Sequence, residues 1–377
     1  MAQIAAAASV APQGSPISAA QLELAGFVTE TPVAAPAAEP GPATARCSND
    51  LGFELGFDHA RHGLTPPVAH LSHQSPLLQG WQAGMATFGR RHAPRPSRAT
   101  RLWLDLRLHA WQRGRAFEEV ELTPNHLQQL LGVSHCPILR CALDDQISVD
   151  RVRDDAGYAA GNLAVMSPGA NAAKARHGWA SASELARSLA QGPIRSVAGL
   201  DAIQWLRVAV LCSFVTELPH EEAAQIPLHV LPPNRLRLLN PIQALQALLT
   251  RQLATPGWSA RLARLETLLP GDALRADFNR FVLALAPRVL QLGRGTLTEP
   301  QQIRWALEDA WSQPLVMKRW TRFALQLSAA QAEQLVQRAA AKRLCPVHVE
   351  RHAQPRATEG WALDRGGYRA HAAHQAH

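Results

Sequence analysis

Asp150 and Asn171 are the two residues whose types and spacing point most directly to chemistry. They stand in SVDRVRDDAGYAAGNLAVMSPGANAAKAR, residues 148–176. Cleaving a phosphodiester calls for a hard divalent cation to neutralise the charge that builds on phosphorus and on the leaving oxygen. The side-chain oxygens of Asp and Asn suit such a cation. A base must also activate water, and basic groups must hold the backbone. Arg151, Lys174 and Arg176 lie close by in sequence and supply basic groups. A second reading stays open: Asp150 as a strand-end turn residue and Asn171 as a buried helix amide.

The elements that would position these residues are short. ISVDRV (147–152) alternates with a period of two, and NLAVMS (162–167) is a second short apolar run. The link RDDAGYAAG is rich in turn formers, with Gly157 and Gly161 free to take positive φ. Ser167 and Pro168 are start signals for a helix, which sets Asn171 and Lys174 three apart on one face. The spacing predicts a strand–loop–strand–helix unit.

Cys136-Pro137-Ile138, Ser148-Val149-Asp150-Arg151-Val152, Gly157-Tyr158, Asn162, Asn171 and Lys174 form a string of spaced residues. Together they resemble the HNH, or His-Me finger, endonucleases, in a phage-type branch that carries Asp-Arg-Ile. The resemblance covers residues 136–176. It implies a ββα-metal fold, cleavage of nucleic acid dependent on Mg²⁺ or Mn²⁺, Asp150 and Asn171 as metal ligands, and Asn162 as a loop-bracing residue. Arg151 stands in the slot of that family's general-base His, and an Arg does not deprotonate water at neutral pH. It is read instead as a clamp on the scissile phosphate. His135 is the nearest candidate base in sequence. Asp144, Asp145, Asp154 and Asp155 read as turn and surface residues, and Tyr158 as packing.

Charge points the same way. The net charge is +8, and 35 of the 38 basic residues are Arg. Arg forks onto phosphate through paired hydrogen bonds, so the balance fits a polyanionic partner, although a coding bias toward Arg explains it equally well. Residues 90–115 hold eight Arg against one Asp. Arg90, Arg91, Arg95, Arg98 and Arg101 are therefore expected on a nucleic-acid surface, with Trp103 and Trp111 read as core. Cys136 and Cys141 with Cys345 and His348 have spacing atypical of zinc, and buried thiols are the preferred reading. The terminal HAAHQAH reads as a composition-driven tail.

Along the chain, residues 1–45 are Ala/Pro-rich and read as a disordered arm. Residues 46–75 give no confident element. A nuclease-like domain with flanking helices is expected over 46–180, an all-helical region over 181–345, and a flexible His-containing tail over 346–377. Residues 101–115 read as helix, and 122–132 as a short helix capped by Thr123 with Pro124 in its first turn. Capping boxes are expected at Thr298–Gln301 and Ser328–Gln331, and helix breaks at PRVLQLGRG, LPPNR and ATPG.

The fold class expected is mostly α with one small ββα-metal unit. No stretch reaches 18 consecutive apolar residues, and the odd, sparse Cys count suits free thiols, so a cytoplasmic protein with no membrane partner is expected. The function expected is a metal-dependent endonuclease acting on nucleic acid, DNA in the first instance. The alternatives are a catalytically inactive nucleic-acid-binding protein on the same fold, or a helical protein-interaction scaffold.

Overall fold

The computed structural model describes residues 42–89, 95–143, 146–293 and 299–344. These are mostly helical. Helices α1 (Pro42–Arg61), α2 (Pro76–Phe88), α3 (Arg98–Gln112) and α4 (Pro124–Leu130) precede an antiparallel pair, β1 (Ser148–Arg151) and β2 (Leu163–Met166). Then come α5 (Pro168–Lys174), α6 (Trp179–Gln191), the two-residue strands β3 (Ser196–Val197) and β4 (Leu200–Asp201), and α7 (Ala202–Ser213). The remainder is α8 (His220–Ala224), α9 (Pro241–Gln252), α10 (Trp258–Glu266), α11 (Asp272–Gly293), α12 (Pro300–Asp309), α13 (Pro314–Ala324) and α14 (Ala329–Ala341). Among the described residues, no helix is long and apolar enough to cross a membrane.

Several starts follow from local chemistry. Thr123 accepts from the His126 amide and Pro124 fills the first turn of α4, as its sequence predicts. Ser328 and Gln331 form the reciprocal capping box at α14. Thr298 lies outside the described residues, and α12 opens from Glu299 with Pro300 in its first turn.

Two expectations are corrected and a third is sharpened. The stretch 46–75, read as carrying no element, lies largely in α1, which begins inside the supposed arm at Pro42. Its glycines looked like breakers but serve a helix–helix contact. A Cβ on Gly56 would lie 2.0 Å from the Leu77 carbonyl oxygen, and one on Gly80 would lie 1.8 Å from that of Phe53. The two helices meet backbone to backbone, which only glycine permits. Second, the break expected within PRVLQLGRG falls at its Gly293 and not earlier, since α11 runs through Pro287. The Pro287 ring is exposed, so water can take the Leu283 carbonyl that the missing amide leaves unbonded. Third, the region after 181 is helical except for the β3–β4 hairpin. Ala198 (φ 50°) and Gly199 (φ 79°) make its turn, and a two-residue hairpin needs positive φ at both.

The β1–β2 pair lies between two apolar clusters, so all eight of its residues are buried. Val149, Leu163 and Val165 face one cluster with Leu106, Phe117, Leu127 and Tyr158. Ala164 and Met166 face the other, which continues through Ala170 and Ala173 of α5 to α7, α9, α11, α13 and α14. That larger cluster takes in residues from Cys136 to Leu344, on both sides of position 180.

Acid should loosen this core. Burial pushes the imidazoles of His109, His126 and His229 down to about 4. A lowered folded value means the unfolded chain binds protons first, so stability falls as pH drops from about 6.5 toward 4. Asp105 opposes this, since burial raises its carboxyl to about 6 and the folded state then gains protons below that pH. Burial also lowers His59 and His62, and it raises Glu54 and Asp150 alongside Asp105; the larger shifts of the three imidazoles set the sign. Urea midpoints should therefore fall between pH 7 and pH 4.5, and His229→Gln should flatten that slope; a midpoint that rises toward pH 4.5 would contradict the burial of these rings.

Candidate functional site

Alternation along β1 decides which residues can meet. Ser148 and Asp150 share the face turned to α5, whereas Val149 and Arg151 share the opposite face. On α5, Asn171 and Lys174 stand one turn apart on the side facing the strand. Two rungs result. Asn171 Nδ2 donates to Ser148 Oγ at 2.6 Å. Lys174 Nζ lies 3.0 Å from Asp150 Oδ2 and donates to Oδ1 at 3.2 Å and to the Arg151 carbonyl at 3.2 Å.

The rungs are sealed. The Lys174 side chain is 0% exposed and the Asp150 side chain 7%. Cys212 of α7 closes the far side, its thiol reaching the Val152 and His177 carbonyls at 3.8 and 3.6 Å. Burial pushes that thiol up to about 11. The Asp150 carboxylate holds Lys174 protonated, above the ordinary lysine value. Burial raises the Asp150 carboxyl in turn, with Lys174 opposing it.

Arg151 leaves from the other face. Its Nη2 donates to Asp154 Oδ1 at 2.7 Å and its guanidinium lies 5.0 Å from the centre of the Tyr158 ring. Tyr158 is buried, 6.3 Å from Phe117, and its backbone pairs with the 116–118 segment through Tyr158 N to Ala116 O and Glu118 N to Tyr158 O, both 2.8 Å. Asn162 spans the link between the strands. Its Oδ1 accepts from the Arg153 amide at 2.9 Å, and its Nδ2 donates to the Arg153 and Gly157 carbonyls, both at 3.1 Å.

His135 sits elsewhere. Its ring makes an edge contact with Trp305 of α12 at 5.3 Å and its Nδ1 lies 3.0 Å from Ser134 Oγ. None of these contacts reaches Asp150 or Asn171. Arg176, Arg95 and Arg98 are exposed, and Arg101 is half-buried near Asp105, whose carboxyl it opposes in its upward shift. Arg90 and Arg91 lie outside the described residues, as do Asp144, Asp145, Cys345 and His348. Lys174, expected on the phosphate-holding side, has no path to a phosphate because its ammonium is enclosed. Cys136 is buried and Cys141 exposed. The two Trp of α3 serve structure: Trp103 Nε1 donates to the Leu122 carbonyl at 2.8 Å and Trp111 Nε1 to that of Ser48 at 2.7 Å.

Against a divalent cation stands the ammonium beside Asp150, although Asp150 Oδ2 itself accepts no hydrogen bond. Among the described residues, no three of His, Cys, Asp and Glu are placed to hold one. Two oxygens with water and phosphate can suffice for magnesium, but such a site must open to the substrate. Here an ammonium already neutralises the carboxylate, and a double positive charge beside it would meet repulsion without solvent to screen it. The Asn171 bond to Ser148 uses Nδ2 and leaves its Oδ1 out.

Sequence reasoning had named Asp150, Asn171 and Lys174 but missed that they pair off. The signal was there: Ser148 and Asp150 two apart on a strand, and Asn171 and Lys174 three apart on a helix, match rung for rung.

Breaking one half of a buried pair strands the other half as an uncompensated charge, at a cost of about 3–5 kcal/mol. Lys174→Met and Asp150→Leu should each lower stability on that scale, and the double replacement should cost clearly less than the two singles together. Additive single losses below about 1 kcal/mol would show that the two groups are solvated and independent. The chain matches no protein-family model, no curated protein and no solved structure, so the arrangement is read on its own geometry.

Proposed function

We propose that this chain binds nucleic acid without cleaving it, on a hairpin–helix unit of the His-Me finger kind. One observation carries the absence of cleavage: the buried bond between Asp150 and Lys174, which occupies the carboxylate that a cation would need. Most polar groups of the motif are engaged within the unit, with Asp150 Oδ2 and the Tyr158 hydroxyl accepting or donating no hydrogen bond. Ser148 meets Asn171, Arg151 meets Tyr158 and Asp154, and Asn162 meets Gly157 and Arg153.

What supports a nucleic-acid partner is charge. The chain carries +8, almost all of its basic residues are Arg, and Arg95, Arg98 and Arg176 are exposed. Arg98 opens α3, whose first turn holds no acidic residue, so side chain and helix dipole add in attracting phosphate. Binding through such contacts releases counterions and is therefore steeply salt-dependent.

Purified full-length chain should retard plasmid DNA equally in EDTA and in Mg²⁺ or Mn²⁺, and leave supercoiled plasmid intact. Replacing Arg95, Arg98 and Arg176 by Gln should reduce the slope of log affinity against log salt by about 2–3, close to one unit per lost phosphate contact. Metal-dependent relaxation of the plasmid that disappears in Asp150→Asn would restore the endonuclease reading. Binding indifferent to salt would remove the phosphate contacts.

A further inference from the structure

Cys136 and Cys141 face each other across a tight turn. His135 and Ala142 form an antiparallel bridge, Leu143 N donates to the Ser134 carbonyl at 2.8 Å, and Cys136 N donates to the Cys141 carbonyl at 2.9 Å. Residues 134 and 143, 135 and 142, and 136 and 141 thus keep one register, and the two cysteines stand directly opposite. Opposed residues of an antiparallel pair point their side chains to the same face, with Cα atoms about 5.5 Å apart where the backbones are hydrogen-bonded. That lies inside the range of roughly 4.4–6.8 Å that a disulfide spans.

The turn is already closed without a covalent link. Arg140 N donates back to the Cys136 carbonyl at 2.9 Å, and Arg140 holds its left-handed backbone while its guanidinium is tied to Asp309 and Glu308. Leu139 N and Ser167 Oγ both donate to Cys136 Sγ at 3.4 Å. Cys136 and Ser167 are also the side chains that act on the Cys141 thiol, so the two sulfurs and the Ser167 hydroxyl make one cluster. Folding has therefore met the entropy cost of bringing the sulfurs together.

Access differs between the two. Cys136 is fully buried, whereas Cys141 is exposed. Cys212, the other free cysteine among the described residues, is buried with its thiol pushed up to about 11, and it does not compete. One sulfur open to a reagent, with a second held opposite it out of solvent, is the arrangement that thiol–disulfide exchange needs.

We propose that Cys136 and Cys141 are a dithiol that reacts with small disulfides and closes into a disulfide within the turn. The Cys141 thiolate, its proton given to solvent, attacks one sulfur of the incoming disulfide. That S–S bond breaks, and the small thiolate released takes a proton from solvent. Cys136 Sγ then attacks the Cys141 sulfur of the mixed disulfide, and the second small thiolate leaves with the Cys136 proton. Two protein thiols are oxidised to one disulfide while the small disulfide is reduced to two thiols, so the step balances with no further oxidant. A resolving sulfur fixed opposite the adduct makes the second step intramolecular and favours ring closure over a lasting adduct. The site shares no residue with the Asp150–Lys174 pair or the exposed Arg surface, so it stands or falls apart from the nucleic-acid reading.

The test is to incubate the full chain with excess oxidised glutathione, alkylate the remaining thiols and map a tryptic digest by mass spectrometry. Trypsin cuts after Arg140, between the two cysteines, so the closed form is read as two peptides joined by a disulfide. Wild type should lose both thiols together into that joined pair, with its circular dichroism unchanged, and dithiothreitol should return them. Cys136→Ala should stop at a glutathione adduct on Cys141. Cys141→Ala should slow the reaction of Cys136 by at least about tenfold, because the buried sulfur is then left to meet the reagent alone. Wild-type chain that ends with glutathione on Cys141, that keeps both thiols free, or that links either one to another cysteine overturns the proposal.

Discussion

The contact on which the hairpin–helix unit depends is the buried bond between Lys174 and Asp150. A two-stranded hairpin of four-residue strands and a seven-residue helix are each marginal in isolation. Here they are fixed to one another by two polar rungs whose partners have almost no access to water. Removing water makes the attraction strong, and it makes any alternative pairing costly. The rungs therefore specify register. A shift of β1 by one residue would put Val149 against Lys174 and turn Ser148 and Asp150 into the apolar cluster that holds Phe117 and Tyr158.

The same sealing that fixes the unit removes it from solvent. The larger apolar cluster continues from the hairpin face into the helices after position 180, so the unit has no core of its own. Cys212 of α7 lies against the strand end and the turn after α5. The helices for which the sequence offers no chemical motif thus supply the lid over the residues that it does mark. The acidic ends of α12 reinforce the join, because Glu308 and Asp309 take the Arg140 guanidinium from the loop that precedes β1. Arg140 holds a left-handed backbone (φ 58°), a conformation an Arg adopts only where its surroundings enforce it.

Legibility varied with the range of the interaction. The α4 cap, the α14 capping box, both strands and the start of α5 rest on contacts within a few residues, and the sequence carries them plainly. Helix α1 was hidden because Gly52 and Gly56 look like breakers until α2 is packed on them, a contact between helices. Where in PRVLQLGRG the helix ends was hidden for a related reason: whether a proline stops a helix depends on which side faces water. At the site, residue types and spacing singled out Asp150, Asn171 and Lys174, which lie together in the fold, but not Ser148, the partner of Asn171. Their roles were not legible, since a carboxylate three-dimensionally next to an ammonium and one next to a cation have the same sequence. Nothing in the chain near His135 indicated Trp305 as its neighbour, because the two are joined only by the packing of α12 on the 133–140 loop.

The Arg at position 151 is explained by the pleat of β1 and by its neighbours. Adjacent residues of a strand point to opposite faces, so with Asp150 turned toward α5, residue 151 is turned toward Phe117 and Tyr158. An Arg meets the demands of that side well: its flat cation lies on the Tyr158 ring, and its forked donors reach the Asp154 carboxylate and the Ala156 carbonyl. With Asn162 tied to Gly157 and to Arg153, it holds the link between the strands, residues 152–162, in one shape. Position 151 therefore braces the turn through Asp154, Ala156 and Tyr158.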